Sequence, residues 1–145
     1  AGGVARIVQD AGSFVRAEVT IGAHRFDADL VVDGAPLLDE PRVVEGVSVQ
    51  GLADLRASKL TCLLSRSEPR DLVDVLFLER AGFAAEEDLR LAAQKDTGMD
   101  PGVMGWLLGQ FPVGPLPEML SPLTEPELRA FRDDLRERFR TLARK

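Results

Sequence analysis

The chain has 145 residues, of which 45% are hydrophobic and 29% are charged, and its formal net charge is −6. This length and composition exclude a disordered chain and predict one domain with its own core, while the single cysteine, Cys62, excludes a disulfide framework or a multi-cysteine zinc site. No apolar run is long enough to span a bilayer, and the acidic balance excludes nucleic-acid binding by bulk charge, so any contact with nucleotides must be local. We therefore expect a cytoplasmic protein that makes no membrane contact.

The first third of the chain has the alternation that is typical of β-strands. Apolar and polar residues alternate through residues 14–33, and Gly22 with Ala23 interrupts them, which predicts a β-hairpin. Residues 34–41 are rich in turn-forming types and predict a loop. Val43–Val49 predicts one further short strand.

After residue 51 the spacing of apolar residues becomes helical. Capping residues, prolines and glycines set the expected ends. The predicted helices are Leu52–Ser65, Pro69–Arg80, Glu86–Lys95, Val103–Phe111 and a last helix that Thr124 and Glu127 open with a capping box, after an irregular connection over Pro112–Pro122. The fold class is therefore α+β, with a small mixed sheet and hairpin in residues 1–51 and a helical C-terminal half in residues 52–145, packed as one domain.

The first predicted helix carries a charge in an unexpected place. At about 100° per residue, Asp54 falls on a polar face, whereas Lys59 falls in the middle of the opposite, apolar face and Arg66 at its end. A cation on an apolar face costs desolvation free energy unless an anion meets it. Asp71 and Asp74 lie three residues apart on the next helix, and a short turn makes the two helices neighbours. The pattern predicts a site in which this lysine meets one or both acids.

Each of these charges also has a purely structural interpretation. Asp71 suits the N-terminus of a helix, Arg70 and Asp74 have the spacing of an ordinary ion pair, and Lys59 can extend along the surface to water. Trp106, between apolar neighbours, is predicted as a packing residue.

The lysine helix around Lys59 and the Arg-Asp-x-x-Asp motif at residues 70–74 form the most specific pattern in the sequence. Residues 52–78 resemble the corresponding helices of the AbiEii/AbiGii toxin family, which has the nucleotidyltransferase fold of the DNA polymerase β superfamily. The acid-bearing segment 26–36 and the segment 92–96 extend the likeness over roughly the whole chain. The resemblance implies a nucleotidyltransferase-like fold.

The resemblance also implies roles for individual residues. Lys59, Arg66 and Arg70 would bind the nucleotide, and Lys59 would contact its triphosphate. Asp71 and Asp74 would complete the catalytic pocket. The implied reaction transfers a nucleotide from an NTP to an acceptor such as tRNA or a protein, with Mg²⁺ as cofactor and a cognate antitoxin as partner. The alternative is a non-catalytic interaction or nucleotide-binding domain of the same fold that binds a protein partner.

The resemblance implies that Asp29, with Asp27 beside it, lies at the metal. Taken alone, these two acids also fit a solvated strand face. The family's first metal motif, a small-residue turn, a helix and a Ser-x-Asp-x-Asp strand, should precede the acid-bearing strand by more than the 28 residues that precede Asp29 here. Either the chain is a fragment without that motif and a poor catalyst alone, or Gly12 and Ser13 followed by Asp27 and Asp29 constitute the motif.

Overall fold

The computed structural model describes residues 2–32, 34–116, 118 and 122–145. Asp33, in the predicted acid-bearing segment, and residues 117 and 119–121, in the predicted connection before the last helix, lie outside the described residues. The chain divides into two compact units, Ala1–Ala35 and Pro36–Lys145. The predicted α+β class is confirmed, because the first unit is a sheet and the helices all lie in the second.

The first unit is an antiparallel sheet with the strand order β1-β2-β3, formed by β1 (Val4–Asp10), β2 (Phe14–Ile21) and β3 (His24–Val31). The predicted hairpin is confirmed as β2 and β3, and Gly22 supplies the positive φ that its tight turn needs. Strand β1 was not predicted from the sequence. A bulge at Val8 shifts the register between β1 and β2 and breaks the alternation by which a strand is recognised.

One face of this sheet is apolar. Paired residues across the three strands form rows on that face, with Ala5, Val19 and Phe26 in one row and Ile7, Ala17 and Ala28 in the next. Ion pairs occupy the other face. The apolar face is largely exposed, because Ala17 is the single hydrophobic residue of the described first unit that counts as buried.

The second unit begins with a loop and a small hairpin. The single strand predicted over Val43–Val49 is wrong, because the segment forms two strands, β4 (Arg42–Val44) and β5 (Val47–Val49), that pair antiparallel. Glu45 and Gly46 both have positive φ, at 51° and 82°. These are the backbone angles of the two-residue turn that matches the twist of a hairpin.

Five helices complete the second unit: α1 (Leu52–Arg66), α2 (Pro69–Arg80), α3 (Ala85–Lys95), α4 (Pro101–Leu108) and α5 (Glu125–Leu142). Helix α1 packs against α2 and α3, and α5 packs against α4 and α2. The predicted capping box opens α5, where the Thr124 amide donates to Glu127 Oε2 at 2.9 Å. Helix α4 begins two residues earlier than predicted, because Asp100 accepts hydrogen bonds from the amides of its first turn.

Helix α1 faces the core with a different side from the predicted one. Its buried residues are Asp54, Ala57, Leu60 and Leu63. Leu55, which lies one helical turn before Lys59 on the apolar face, is 43% exposed. The line that carries Lys59 therefore lies at the edge of the core and partly in solvent, and the acid predicted on the polar face is completely buried.

Lys95 explains how Asp54 can be buried. Its ammonium lies 2.6 Å from Asp54 Oδ1, and both side chains are almost inaccessible, at 3% and 0% exposed. The backbone amides of Leu38 and Asp39 also donate to the same carboxylate. Together these donors lower the pKa of Asp54 to about 2. The buried pair joins α1, α3 and the loop before β4.

Within the described residues, no helix is long and apolar enough to cross a membrane.

Candidate functional site

Lys59 meets both acids of α2. Its Nζ lies 2.5 Å from Asp74 Oδ2 and 3.9 Å from Asp71 Oδ1. The Lys59 side chain is 28% exposed and that of Asp74 is 44% exposed, so a solute can reach both. The predicted proximity of the lysine to these acids is confirmed, whereas their roles in catalysis stay predictions.

Asp71 forms the buried side of this cluster. Its side chain is 1% exposed, and its Oδ1 accepts a hydrogen bond from Arg66 Nη2 at 3.1 Å. Its Oδ2 is buried and has no hydrogen-bond partner among the described residues. Asp71 Oδ1 therefore faces two cations, because Lys59 Nζ approaches this oxygen as well as Arg66.

The two arginines of the predicted nucleotide site differ in their surroundings. Arg66 contacts Asp71 and also donates to Cys62 Sγ at 3.0 Å, and its side chain is 44% exposed. Arg70 pairs with Glu68 at 2.6 Å. The alternative in which Arg70 pairs with Asp74 is therefore not what the structure shows. The structure brings Arg66 into the cluster and leaves Arg70 beside it, on the first turn of α2.

An apolar cleft opens next to the cluster. It has a volume of about 240 Å³ and is lined by Leu55, Lys59, Asp74, Phe77 and Leu78. Three of the five lining side chains are apolar, and the other two are the ion pair described above. The arrangement places a cation at the edge of a small apolar surface, which suits a ligand with an apolar ring and an anionic group.

The predicted metal ligands lie on β3 in the first unit. Asp29 accepts from Arg16 through both of its oxygens, at 2.7 Å from Nε and 2.7 Å from Nη2. This bidentate pair lowers the pKa of Asp29. Asp27 lies two residues earlier on the same strand face. The described residues contain no group of three or more acidic, histidine or cysteine side chains placed to hold a metal ion.

These two acids alone do not fit a Mg²⁺ site, because Mg²⁺ needs near-octahedral oxygen ligands and both oxygens of Asp29 already accept from an arginine. Gly12 and Ser13 form the turn between β1 and β2, and a strand follows them. The alternative first motif therefore lacks its helix.

Trp106 was wrongly predicted as a packing residue. Helix α4 buries Met104, Gly105 and Leu108, whereas Trp106 is 64% exposed. The helical period contained this signal, since Met104 and Leu108 lie four residues apart on one face and Trp106 falls between them on the other. Lys95, the partner of Asp54, was not singled out either, because the two residues are 41 positions apart.

A protein family and a solved structure are similar to this chain. A family model described as "Nucleotidyl transferase AbiEii toxin, Type IV TA system" matches residues 5–145. The crystal structure of JHP933 from Helicobacter pylori is similar at 22% sequence identity with a TM-score of 0.48, over 97% of this chain and 66% of that one. This chain thus spans 66% of the length of that protein. No curated protein matches at a significant level.

Proposed function

The chain belongs to the AbiEii nucleotidyl transferase toxin family, and from this membership we propose that it binds an NTP at Lys59 in the transfer of a nucleotide to an acceptor. The observation that supports the proposal is the cluster of Lys59, Arg66, Asp71 and Asp74 beside an apolar cleft. The family description names a toxin–antitoxin system. We propose that a cognate antitoxin opposes the activity of this chain in the cytoplasm.

The phosphates of the nucleotide take the place of Asp74 at Lys59. The side chains of Lys59 and Arg66 are both partly exposed, and two cations suit a triphosphate. Asp74 is the acid that the phosphates displace, because its half-exposed side chain can rotate into water at a small cost in free energy. Asp71 stays in place, since it is buried, and it completes the pocket by holding the two cations from α2.

The base of the nucleotide lies in the apolar cleft. Leu55, Phe77 and Leu78 offer surface that is removed from water when a flat ring covers it. Lys59 lies at the edge of the same cleft, so one ligand reaches both. Arg70, on the first turn of α2 and paired with Glu68, is a further cation for the phosphates if that pair opens.

Nucleotidyltransferases generally use a divalent cation. The resemblance implies Asp27 and Asp29 as metal ligands and Mg²⁺ as the ion, but these two acids alone do not fit such a site, because Arg16 already occupies both oxygens of Asp29. The roles of Lys59 and Arg66 in phosphate binding do not depend on the metal. The same shortage of carboxylates favours the second candidate function, a non-catalytic domain that binds a nucleotide or a protein partner.

Calorimetric titration with each of the four NTPs tests the nucleotide site. We expect the Lys59→Met variant to lose about tenfold or more in affinity, since a charge-assisted hydrogen bond contributes ~1.5–3 kcal/mol. Lys145→Met is the matched control, because it removes the same charge at an exposed C-terminal position. Equal affinities of the wild-type chain and the Lys59→Met variant would contradict the proposal.

A further inference from the structure

An exposed tryptophan lies beside a row of arginines in the second unit. Trp106 is 64% exposed on α4, and Val103, one turn earlier, is 42% exposed. Tryptophan is enriched at binding interfaces, because its large ring is apolar and also carries one hydrogen-bond donor. The chain has no other tryptophan.

Four arginines of helix α5, and one just after its end, follow one another at intervals of three and four residues. They are Arg129, Arg132, Arg136, Arg140 and Arg144. At 100° per residue the four helical arginines fall within about 80° of the helix circumference and span about 16 Å of its length. Asp133 and Glu137 lie on or near the same side of the helix, so cations outnumber anions in this row although the whole chain has a net charge of −6.

Some guanidinium groups of this arginine row already have partners within the chain, and others are free to contact a ligand. Arg132 is used by the fold, because it donates to the Phe111 carbonyl at 3.1 Å and is 15% exposed. Arg136 and Arg140 share one acid, Glu137, at 3.9 and 3.1 Å. Arg136 Nε is buried and has no hydrogen-bond partner among the described residues. Arg129 and Arg144 are exposed.

Glycines bring the tryptophan and the arginines together. A Cβ at Gly105 would lie 2.9 Å from Arg140 Cγ, and a Cβ at Gly109 would lie 3.6 Å from Arg136 Cζ. Helix α4 therefore packs on α5 without side chains between them at these points. The Arg136 guanidinium therefore lies near Gly109, at the end of α4 and three residues after Trp106 in the chain.

From this juxtaposition we propose that the α4–α5 surface, formed by Trp106 with Arg129, Arg136, Arg140 and Arg144, binds single-stranded RNA. A base stacks on the indole ring and the arginines contact the phosphates that follow. This combination of an aromatic platform with a positive track is how proteins hold single strands. The proposal extends the proposed function, because it assigns RNA as the acceptor class.

The size of the apolar area favours RNA over a protein acceptor. A stable protein interface buries roughly 1,200–2,000 Å² in total with a cluster of apolar residues at its centre. Here the exposed apolar surface of α4 consists of Trp106 and Val103, and the surrounding side chains on α5 are charged. One ring matches one base, whereas it falls short of a protein-binding patch.

The fluorescence of Trp106 gives a direct readout, since the chain has no other tryptophan. We expect a 12-nucleotide single-stranded RNA of mixed sequence to quench this fluorescence in a saturable and salt-dependent manner. Poly-glutamate of equal charge is the control for charge alone, and a free NTP is the control for the nucleotide site. Absence of saturable quenching by RNA at low salt would overturn the proposal, as would equal quenching by poly-glutamate or by the NTP.

Variants measured by anisotropy of fluorescein-labelled RNA separate stacking from charge. Trp106→Ala should weaken binding about 5- to 150-fold, which corresponds to ~1–3 kcal/mol for one stacked base, and Trp106→Phe should keep most of the affinity. Arg140→Gln should reduce the slope of log K against log salt by about 0.7, the value for one phosphate contact, whereas the control Arg25→Gln should not. Undiminished affinity of Trp106→Ala would contradict the stacking role.

The same experiments distinguish this proposal from the nucleotide site. Lys59→Met should leave RNA binding unchanged while NTP binding is lost. If RNA fails to bind and NTP binding still depends on Lys59, the RNA surface is wrong and the proposed function stands. If RNA binds through Trp106 and NTP binding does not depend on Lys59, the proposed nucleotide site is wrong and the RNA surface stands.

Discussion

Lys59 lies at the boundary between the core and the solvent. Its ammonium contacts Asp74, whose side chain is half-exposed, and approaches Asp71, which is buried but also has Arg66 as a partner. Neither acid is left as an isolated buried charge when the lysine is removed. The lysine therefore contributes little to the stability of the fold, which is what a residue reserved for a ligand requires.

For this reason we expect Lys59→Met to change the free energy of unfolding by about 1 kcal/mol or less, the usual range for an exposed ion pair. Unfolding in urea, followed by circular dichroism, measures this change. Leu60→Ala is the control on the same helix, because Leu60 is fully buried and its truncation costs about 2–5 kcal/mol. A loss of 3 kcal/mol or more in the lysine variant would show that Lys59 is a structural partner of the acids.

The sequence predicted which residues of this cluster meet but not which way their helix faces. The spacing of Lys59, Asp71 and Asp74 follows from helical geometry and a short connection, and both are local properties. The orientation of α1 depends on Asp54, whose burial requires a lysine 41 residues away. A pattern read along one helix contains no information about that distant partner.

At the scale of elements, a proline in the first turn of α2 and a capping box at the start of α5 made these two helices predictable. Helix α2 has the predicted bounds Pro69–Arg80, and Thr124 opens α5 with the predicted capping box. The strands were harder where the alternation was interrupted. The bulge at Val8 concealed β1, and the turn at Glu45 and Gly46 lacks the asparagine or aspartate that usually marks such a hairpin.

The pair between α1 and α3 predicts a dependence of stability on pH. The folded pKa of Asp54, about 2, lies below its ordinary value of 3.8. Its contribution to stability is therefore fully present above pH 4 and is lost as the pH falls toward 2. We expect Asp54→Asn to lower the unfolding midpoint at pH 5 and to flatten the fall in stability between pH 4 and pH 2.

Urea unfolding at constant ionic strength across this pH range measures both effects. Asp133→Asn is the control, because Asp133 is an exposed acid that pairs with the adjacent Arg132. Other carboxylates with lowered pKa values add to the slope in every variant, so the comparison uses the difference from the wild-type chain. Parallel curves for the wild-type chain and the Asp54→Asn variant would contradict the assignment.

At the scale of the whole molecule, the number of metal-binding carboxylates limits catalysis. Two-metal nucleotidyl transfer needs several well-placed oxygen ligands, and the first unit offers Asp27 together with Asp29, which already pairs with Arg16. We therefore expect this 145-residue chain alone to transfer little labelled nucleotide from NTP to an RNA acceptor in the presence of Mg²⁺. Efficient transfer that Asp29→Ala abolishes would overturn this expectation, and Asp10→Ala is the matched control for loss of an exposed acid.

The apolar face of the three-stranded sheet has a consequence for how the protein opens and closes in solution. The helical unit has a continuous core that includes Leu60, Leu72 and Phe139, whereas the sheet keeps Phe26 and Leu30 about half exposed or more. Backbone amides exchange their hydrogens with solvent at the rate at which their local structure opens, and that rate follows local burial. Amides of β1 and β3 should therefore exchange with deuterium long before those of α1, α2 and α5. The three-stranded sheet would then open and close many times before the helical core unfolds once.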